Sequence, residues 1–221
     1  MSGQDRASVI LLFDLGNILV RLNSVARLWP QADPAVLAVG EHLWSQSQAV
    51  RDYETGVITD YATFRRASMQ ELACRVSPGD FDQVYRRVIG ALFDETESLL
   101  STLKRHYPLM MLSNTSPLHR DICLGDLGLA RFFAHCFISC EIGAMKPDPA
   151  IYRTVLTRTQ HDPANIWFFD DRQENVDMAI NLGFNAHLSF GGYTLINDLR
   201  HYGFLDEPDY TCLIAKGKND V

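Results

Sequence analysis

Asp14, Ser113, Lys146 and the adjacent pair Asp170–Asp171 are the side chains in this sequence best suited to do chemistry together. Asp14 closes the apolar run VILLFD, Ser113 opens SNTS, Lys146 lies in EIGAMKPDP, and the two aspartates end IWFFDD. Three clustered carboxylates repel one another unless a cation lies among them. A hard divalent ion with oxygen ligands, Mg²⁺ foremost, meets that need. The Lys146 ammonium and the Ser113–Asn114 hydroxyl–amide pair would supply positive charge and hydrogen-bond donors to a bound anion. Carboxylate, metal, lysine and hydroxyl are the parts of a phosphoryl-transfer site. Each segment alone has a plainer reading: KPDP a turn, SNTSP a helix cap at Ser116 before Pro117, and DD the acidic start of a helix. The case for chemistry is that all four follow a strand, in order.

Those strands are the apolar runs Val9–Phe13, Leu109–Leu112, Phe137–Ser139, Ile166–Phe169 and Ala186–Phe190. They are continuous rather than alternating, as in parallel strands covered on both faces. Helical patterns separate the later ones. In DPAIYRTVLTRTQ, Asp148 caps, Pro149 takes the first helical position, and Ile151, Val155 and Leu156 share a face. ENVDMAINLG repeats the pattern with Val176, Ala179 and Ile180, and Gly183 closes it. Strand–helix alternation implies right-handed crossovers and an α/β fold, a Rossmann-like doubly wound parallel sheet. In such sheets ligands bind beyond the carboxyl ends of the strands, where the reactive residues stand.

The rhythm breaks between Phe13 and Leu109, where the chain reads as helical without a convincing strand. PGDFDQVYRRVIGAL carries Phe81, Val84, Tyr85, Val88, Ile89 and Leu92 on one helical stripe, and residues 60–74 form another helix capped by Asp60. This predicts an inserted α-helical cap over 22–94, a catalytic core of 9–21 plus 95–205, and terminal segments 1–8 and 206–221. The last dozen residues are expected to be loosely held.

The net charge of −7 argues against a nucleic-acid or membrane-surface partner. No apolar run approaches the roughly 20 residues that span a bilayer, and MSGQDRAS lacks the apolar middle of a signal peptide. A cytoplasmic location is the expectation. The five cysteines are odd in number and irregular in spacing, unlike a disulfide framework. HCFISC invites a metal reading for His135, Cys136 and Cys140, but on a strand four residues span about 13 Å, too far for one ion to hold both thiolates easily. Oligomeric state is not legible in the sequence.

FDLGN, LSNTS, EIGAMKPDPAIY and FFDDRQENVDMAINLG resemble the four motifs of the haloacid dehalogenase-like (HAD) superfamily. The similarity is closest to its phosphatases with a helical cap after the first strand. The resemblance implies that Asp14 is the nucleophile and carries an aspartyl-phosphate intermediate. It also implies that Ser113 and the following Asn114 amide hold phosphoryl oxygens, and that Lys146 neutralises the phosphate and Asp14. Mg²⁺ would be bound by Asp14, Asp171, the Gly16 carbonyl, and Asp170 directly or through water.

The family usually has a second aspartate two residues after the first, to protonate the leaving alcohol and deprotonate the attacking water. Gly16 stands there, and general acid–base catalysis is worth about 10²–10⁴-fold. Three readings follow. The first is an Mg²⁺-dependent phosphatase of a small, sugar phosphate-like metabolite, with a substitute proton carrier such as His119; Arg21 could orient a leaving group but is a poor donor. The second is a metal-independent dehalogenase, whose leaving halide needs no proton. The third is a catalytically weakened phosphate- or metal-binding module. The stretch LWSQSQAVRDYETGVITDYATF resembles the family's cap segment through Glu54, Gly56, Ile58 and Phe64, and Trp44, Arg51 and Tyr53 are its candidates to face substrate.

Overall fold

Unbroken apolar strands need cover on both faces, and the computed structural model supplies it. It describes residues 8–29 and 42–216; residues 1–7, 30–41 and 217–221, with most of the expected N-terminal segment and part of the insert, lie outside the described residues. The first half runs β1 (Ile10–Phe13), β2 (Val20–Leu22), α1 (Gln48–Glu54), α2 (Tyr61–Glu71), α3 (Pro78–Arg86), β3 (Ile89–Leu92) and α4 (Thr96–Leu103). The second half runs β4 (Leu109–Ser113), α5 (Pro117–Asp121), β5 (His135–Ile138), α6 (Ser139–Ile142), α7 (Pro149–Thr159), β6 (Ile166–Asp170), α8 (Gln173–Asn181), β7 (Asn185–Leu188), α9 (Tyr193–His201) and α10 (Glu207–Lys216).

Five strands form one parallel sheet in the order β5-β4-β1-β6-β7. β1 is central: Leu12 stands opposite Met110 on one side and Phe168 on the other. Alternate residues serve opposite faces. Leu11, Phe13 and Met111 pack with Leu99 and Leu103 of α4 and Leu195 and Leu199 of α9. Ile10, Leu12 and Phe168 pack with Ile151 and Val155 of α7 and Val176 and Ala179 of α8. The caps read from sequence are made: Asp148 accepts from Ala150 N–H at 2.8 Å, Asp60 from Thr63 N–H at 2.8 Å, and Ser116 from His119 N–H at 3.4 Å.

The insert has a core of its own, rich in aromatics: Trp29, Tyr53, Phe64, Phe81 and Tyr85 are all buried there. Tyr53 stacks on Phe64 with ring centroids 4.3 Å apart.

Four expectations need correcting. The stripe from Phe81 to Leu92 is not one helix, because α3 stops at Arg86 and Ile89–Leu92 is a strand pairing antiparallel with β2. Gly90 explains the change: a Cβ there would lie 2.7 Å from the Arg21 carbonyl oxygen, so only glycine lets the two strands approach. The helix over 60–74 is shorter, spanning Tyr61–Glu71. The C-terminal residues are not a loose tail as far as they are described; α10 runs to Lys216 and buries Leu213 against the core. HCFISC is a strand only to Ile138, and Cys140 belongs to α6.

Candidate active site

The loop after β1 is drawn tight around Asp14. Asp14 N–H donates to Phe169 O at 2.9 Å, Asn17 N–H to Val20 O at 2.7 Å, and Gly191 N–H to Asn17 O at 2.7 Å. Asn17 adopts φ 54°, a left-handed conformation that asparagine tolerates better than most residues. From it, Nδ2 donates to Asp171 Oδ2 at 2.9 Å and ties this loop to the end of β6.

Lys146 arrives from the opposite side of β1. The side chain of Asn114 grips its backbone twice: Nδ2 donates to Lys146 O at 2.8 Å, and Oδ1 accepts from Lys146 N–H at 2.7 Å. The Asn114 side chain is therefore committed to positioning the lysine, and only its backbone is left for the anion-holding role expected of it. Lys146 Nζ then donates to Asp14 Oδ1 at 2.6 Å, Asp170 Oδ2 at 2.6 Å and Leu112 O at 3.0 Å. The other oxygen of Asp170 accepts from Arg172 N–H at 2.9 Å and Asn175 Nδ2 at 2.8 Å.

The sequence-predicted residues thus meet at the carboxyl edge of the sheet. Asp14, Asp170 and Asp171 each offer a carboxylate oxygen within 4.8 Å of the others. Burial raises the Asp14 carboxyl above its ordinary range; the Lys146 ammonium opposes this, and Asp170 and Asp171 add to it. Asp171 is raised by burial too, against the Asn17 hydrogen bond. Burial works against the Lys146 ammonium, but the Asp14 and Asp170 carboxylates outweigh it and hold its pKa above the ordinary lysine value. An all-oxygen donor set carrying this much crowded negative charge fits a hard divalent cation. Buried Asn175 Oδ1, with no partner among the described residues, offers an acceptor beside it. No cysteine site competes: among the described residues, these three aspartates are the cluster whose ligand atoms are close enough for one ion.

Residues 10–183 match the family described as haloacid dehalogenase-like hydrolase. The chain belongs to that family. Flavin mononucleotide hydrolase 1 of Arabidopsis thaliana is 30% identical over 110 residues, half of this chain; the chain spans 45% of that relative. (S)-2-haloacid dehalogenase 2 of Pseudomonas sp. is 26% identical over 192 residues, 80% of this chain and 81% of the relative. A HAD family enzyme of Bacteroides thetaiotaomicron, solved with magnesium and inorganic phosphate, is 24% identical and superposes with a TM-score of 0.69 over 83% of this chain and 95% of its own.

The haloacid dehalogenase-like site opens into a cavity of about 400 Å³ walled by core and insert together. Ser113, at the end of β4, lines it with Asp14, Gly16, Asn114, Lys146 and Asp171. Gly16 has no side chain, and a Cβ there would lie 2.7 Å from Leu22 Cδ1, so the leucine fills the space. His119 also lines the cavity, but its Nε2 is bonded to Tyr85 O at 2.8 Å and its ring stacks on Tyr85 at 4.2 Å. Burial pushes its imidazole down to about 4, leaving a neutral packing residue at physiological pH. Arg21 donates to Leu92 O at 2.8 Å, bracing the β2–β3 ribbon. Trp44 and Arg51 face the cavity; Tyr53 is buried in the core of the insert.

Sequence reasoning passed over the carboxylate of Glu54, which lines the same cavity. Its signal was available in Gly56, whose φ of +74° ends α1 and seats the turn against Cys140 O, where a Cβ would come within 2.3 Å.

Proposed function

We propose that this chain is a Mg²⁺-dependent phosphatase that hydrolyses a small, sugar phosphate-like monoester through an aspartyl-phosphate on Asp14. The observation that carries the reading is Lys146 Nζ bridging Asp14 and Asp170 at 2.6 Å each, with Asp171 in the same cluster. A dehalogenase that works without metal has no use for three carboxylates in one place.

Asp14 Oδ1 is taken by Lys146, so Oδ2 is the nucleophile, attacking phosphorus as the ester P–O bond breaks. Ser113 Oγ and the Asn114 backbone N–H donate to the phosphoryl oxygens as charge builds on them, and the Lys146 ammonium, its three N–H bonds made to Asp14, Asp170 and Leu112 O, neutralises charge beside them. Mg²⁺, held by Asp14, Asp171 and the Gly16 carbonyl, would screen the nucleophile's charge from the phosphate it attacks. Both oxygens of Asp170 already accept hydrogen bonds, which favours its contact with the ion through water. Residues 22–94 act as a cap over the core, and the shared cavity limits access to small substrates. The flavin mononucleotide hydrolase and the enzyme solved with magnesium and phosphate support a phosphoester substrate.

A second reading is favoured by Gly16 and by the haloacid dehalogenase relative: displacement of halide by Asp14 without metal. One assay separates them. Phosphate and halide release are followed over a panel of sugar phosphates, nucleotides, aryl phosphates and 2-haloacids, with Mg²⁺ or with chelator. The phosphatase reading expects phosphate release that needs Mg²⁺ and disappears in Asp14→Asn. Halide release in chelator, or wild-type phosphate release no greater than that of Asp14→Asn, overturns it.

A further inference from the structure

We propose that Glu54, delivered by the insert, is the proton carrier that replaces the carboxylate missing at position 16. The inference rests on the phosphatase reading and adds a catalytic residue to it.

The cavity restricts the choice. Among the described residues lining it, the carboxylates are Asp14, Asp171 and Glu54, and the first two belong to the nucleophile and metal cluster. Arg51 and Arg172 also line it, but guanidinium does not release a proton in this pH range. His119 is neutral and bonded to Tyr85, and Lys146 is bound by two carboxylates. Position 16 itself has no side chain, and Leu22 Cδ1 stands 2.7 Å from where its Cβ would be.

Glu54 is held in place by its backbone while its side chain is left unengaged. Ser139 Oγ donates to Glu54 O at 2.6 Å and accepts from Thr115 N–H at 2.9 Å, so one buried serine joins the end of α1 to the residues following Ser113. Among the described residues, no hydrogen bond or ion pair engages the Glu54 carboxylate. Burial pushes that carboxyl up to about 7, against the pull of Arg172 after β6 and Arg51 on its own helix. Tyr85 of α3 and Cys140 of α6 also feel its charge. A carboxyl that titrates near neutrality suits both halves of the reaction.

In the first half, the Glu54 O–H proton passes to the ester oxygen as the P–O bond to the alcohol breaks and the bond from Asp14 Oδ2 to phosphorus forms. In the second, the Glu54 carboxylate takes a proton from water as the water oxygen bonds phosphorus and the Asp14–phosphorus bond breaks. Phosphate leaves, Asp14 is again a carboxylate and Glu54 is again protonated.

The test compares wild type, Glu54→Gln and Glu54→Asp, with Mg²⁺, on an alkyl phosphate from the panel and on para-nitrophenyl phosphate. An alkoxide needs a proton to leave, whereas para-nitrophenolate does not. Steady-state turnover of the alkyl ester should fall by about 10²–10⁴-fold in Glu54→Gln. The first-turnover burst of nitrophenolate should persist, and phosphoenzyme should accumulate because no base activates water. In wild type, kcat/KM for the alkyl ester should decline as pH rises through about 7; Glu54→Gln should lack that limb and Glu54→Asp should retain one. Loss of the nitrophenolate burst to the same extent as alkyl ester turnover, no loss on either ester, or an unchanged high-pH limb in Glu54→Gln overturn the assignment while leaving the phosphatase reading intact. A wild-type enzyme without Mg²⁺-dependent phosphate release overturns both.

Discussion

Replacing Lys146 by methionine tests whether the buried charges are a single electrostatic unit. Methionine keeps much of the stem's volume, so the loss is the ammonium and its three hydrogen bonds, two at 2.6 Å and one at 3.0 Å, from a side chain only 2% exposed. Removing one partner from a buried ion pair costs about 3–5 kcal/mol, because the charges left behind are uncompensated. Here two carboxylates lose the same partner, and the expected loss is at the upper end of that range. Against a total stability of about 5–15 kcal/mol, it is readily measured by urea unfolding in chelator. The pH dependence has a definite sign. Without the ammonium, Asp14 is driven still further above its unfolded pKa, so the folded state takes up protons more readily than the unfolded one. The variant's stability is then best at acid pH and declines as pH rises through that raised pKa, and the deficit against wild type widens towards neutrality. Added Mg²⁺ should recover part of it, by supplying a cation to the same carboxylates. A deficit under about 1 kcal/mol at neutral pH, the size of an exposed ion pair, or one that does not change with pH, would refute the coupling.

Two further substitutions probe the insert. Gly56→Ala forces a Cβ to 2.3 Å from Cys140 O at a φ of +74°, so unfolding free energy should drop by at least about 2 kcal/mol, with activity falling as α1 is pushed off α6. His119→Phe keeps the stack on Tyr85 and loses the 2.8 Å bond to Tyr85 O, costing about 1 kcal/mol while kcat stays unchanged; a loss of about 10²-fold would restore the histidine as proton carrier. Because the buried imidazole is held down to about 4, wild-type stability should decline as pH falls from about 6.5 towards that value, and thermal melts of His119→Phe should lack that decline.

The sheet was legible because VILLF, LMML and IWFF are apolar on both faces, a pattern that leaves little choice but burial between helix layers. Part of the cluster was legible from the same topology: neighbouring parallel strands β1 and β6 put Asp14 beside Asp170 and Asp171, whereas Lys146, beyond β5 and α6, is brought in by the grip of Asn114. What sequence could not give depended on partners far along the chain. Ile89 and Leu92 sit at helical spacing, and only their pairing with Leu22 and Val20 makes them a strand. The side chain of Asn114, next to the backbone amide expected to hold an anion, takes a role the sequence does not show, gripping the Lys146 backbone. His119 looks catalytic until Tyr85, remote in sequence, takes its Nε2. Glu54 looked structural because its motif ends a helix, and only the fold shows it on the cavity wall, its backbone tied to Ser139 far along the chain.

The ribbon of β2 and β3 has a consequence for how such a chain can change. Val20 and Leu92 are opposite partners in a two-stranded ribbon separate from the five-stranded sheet, so everything between them leaves and rejoins the core through a single zipped doorway. A new insert of any length can be spliced across that doorway without shifting β1 or the aspartate at its tip. If the proton carrier rides on the insert, such a splice exchanges acid–base chemistry along with the lid, and the nucleophile and metal cradle stay as they were.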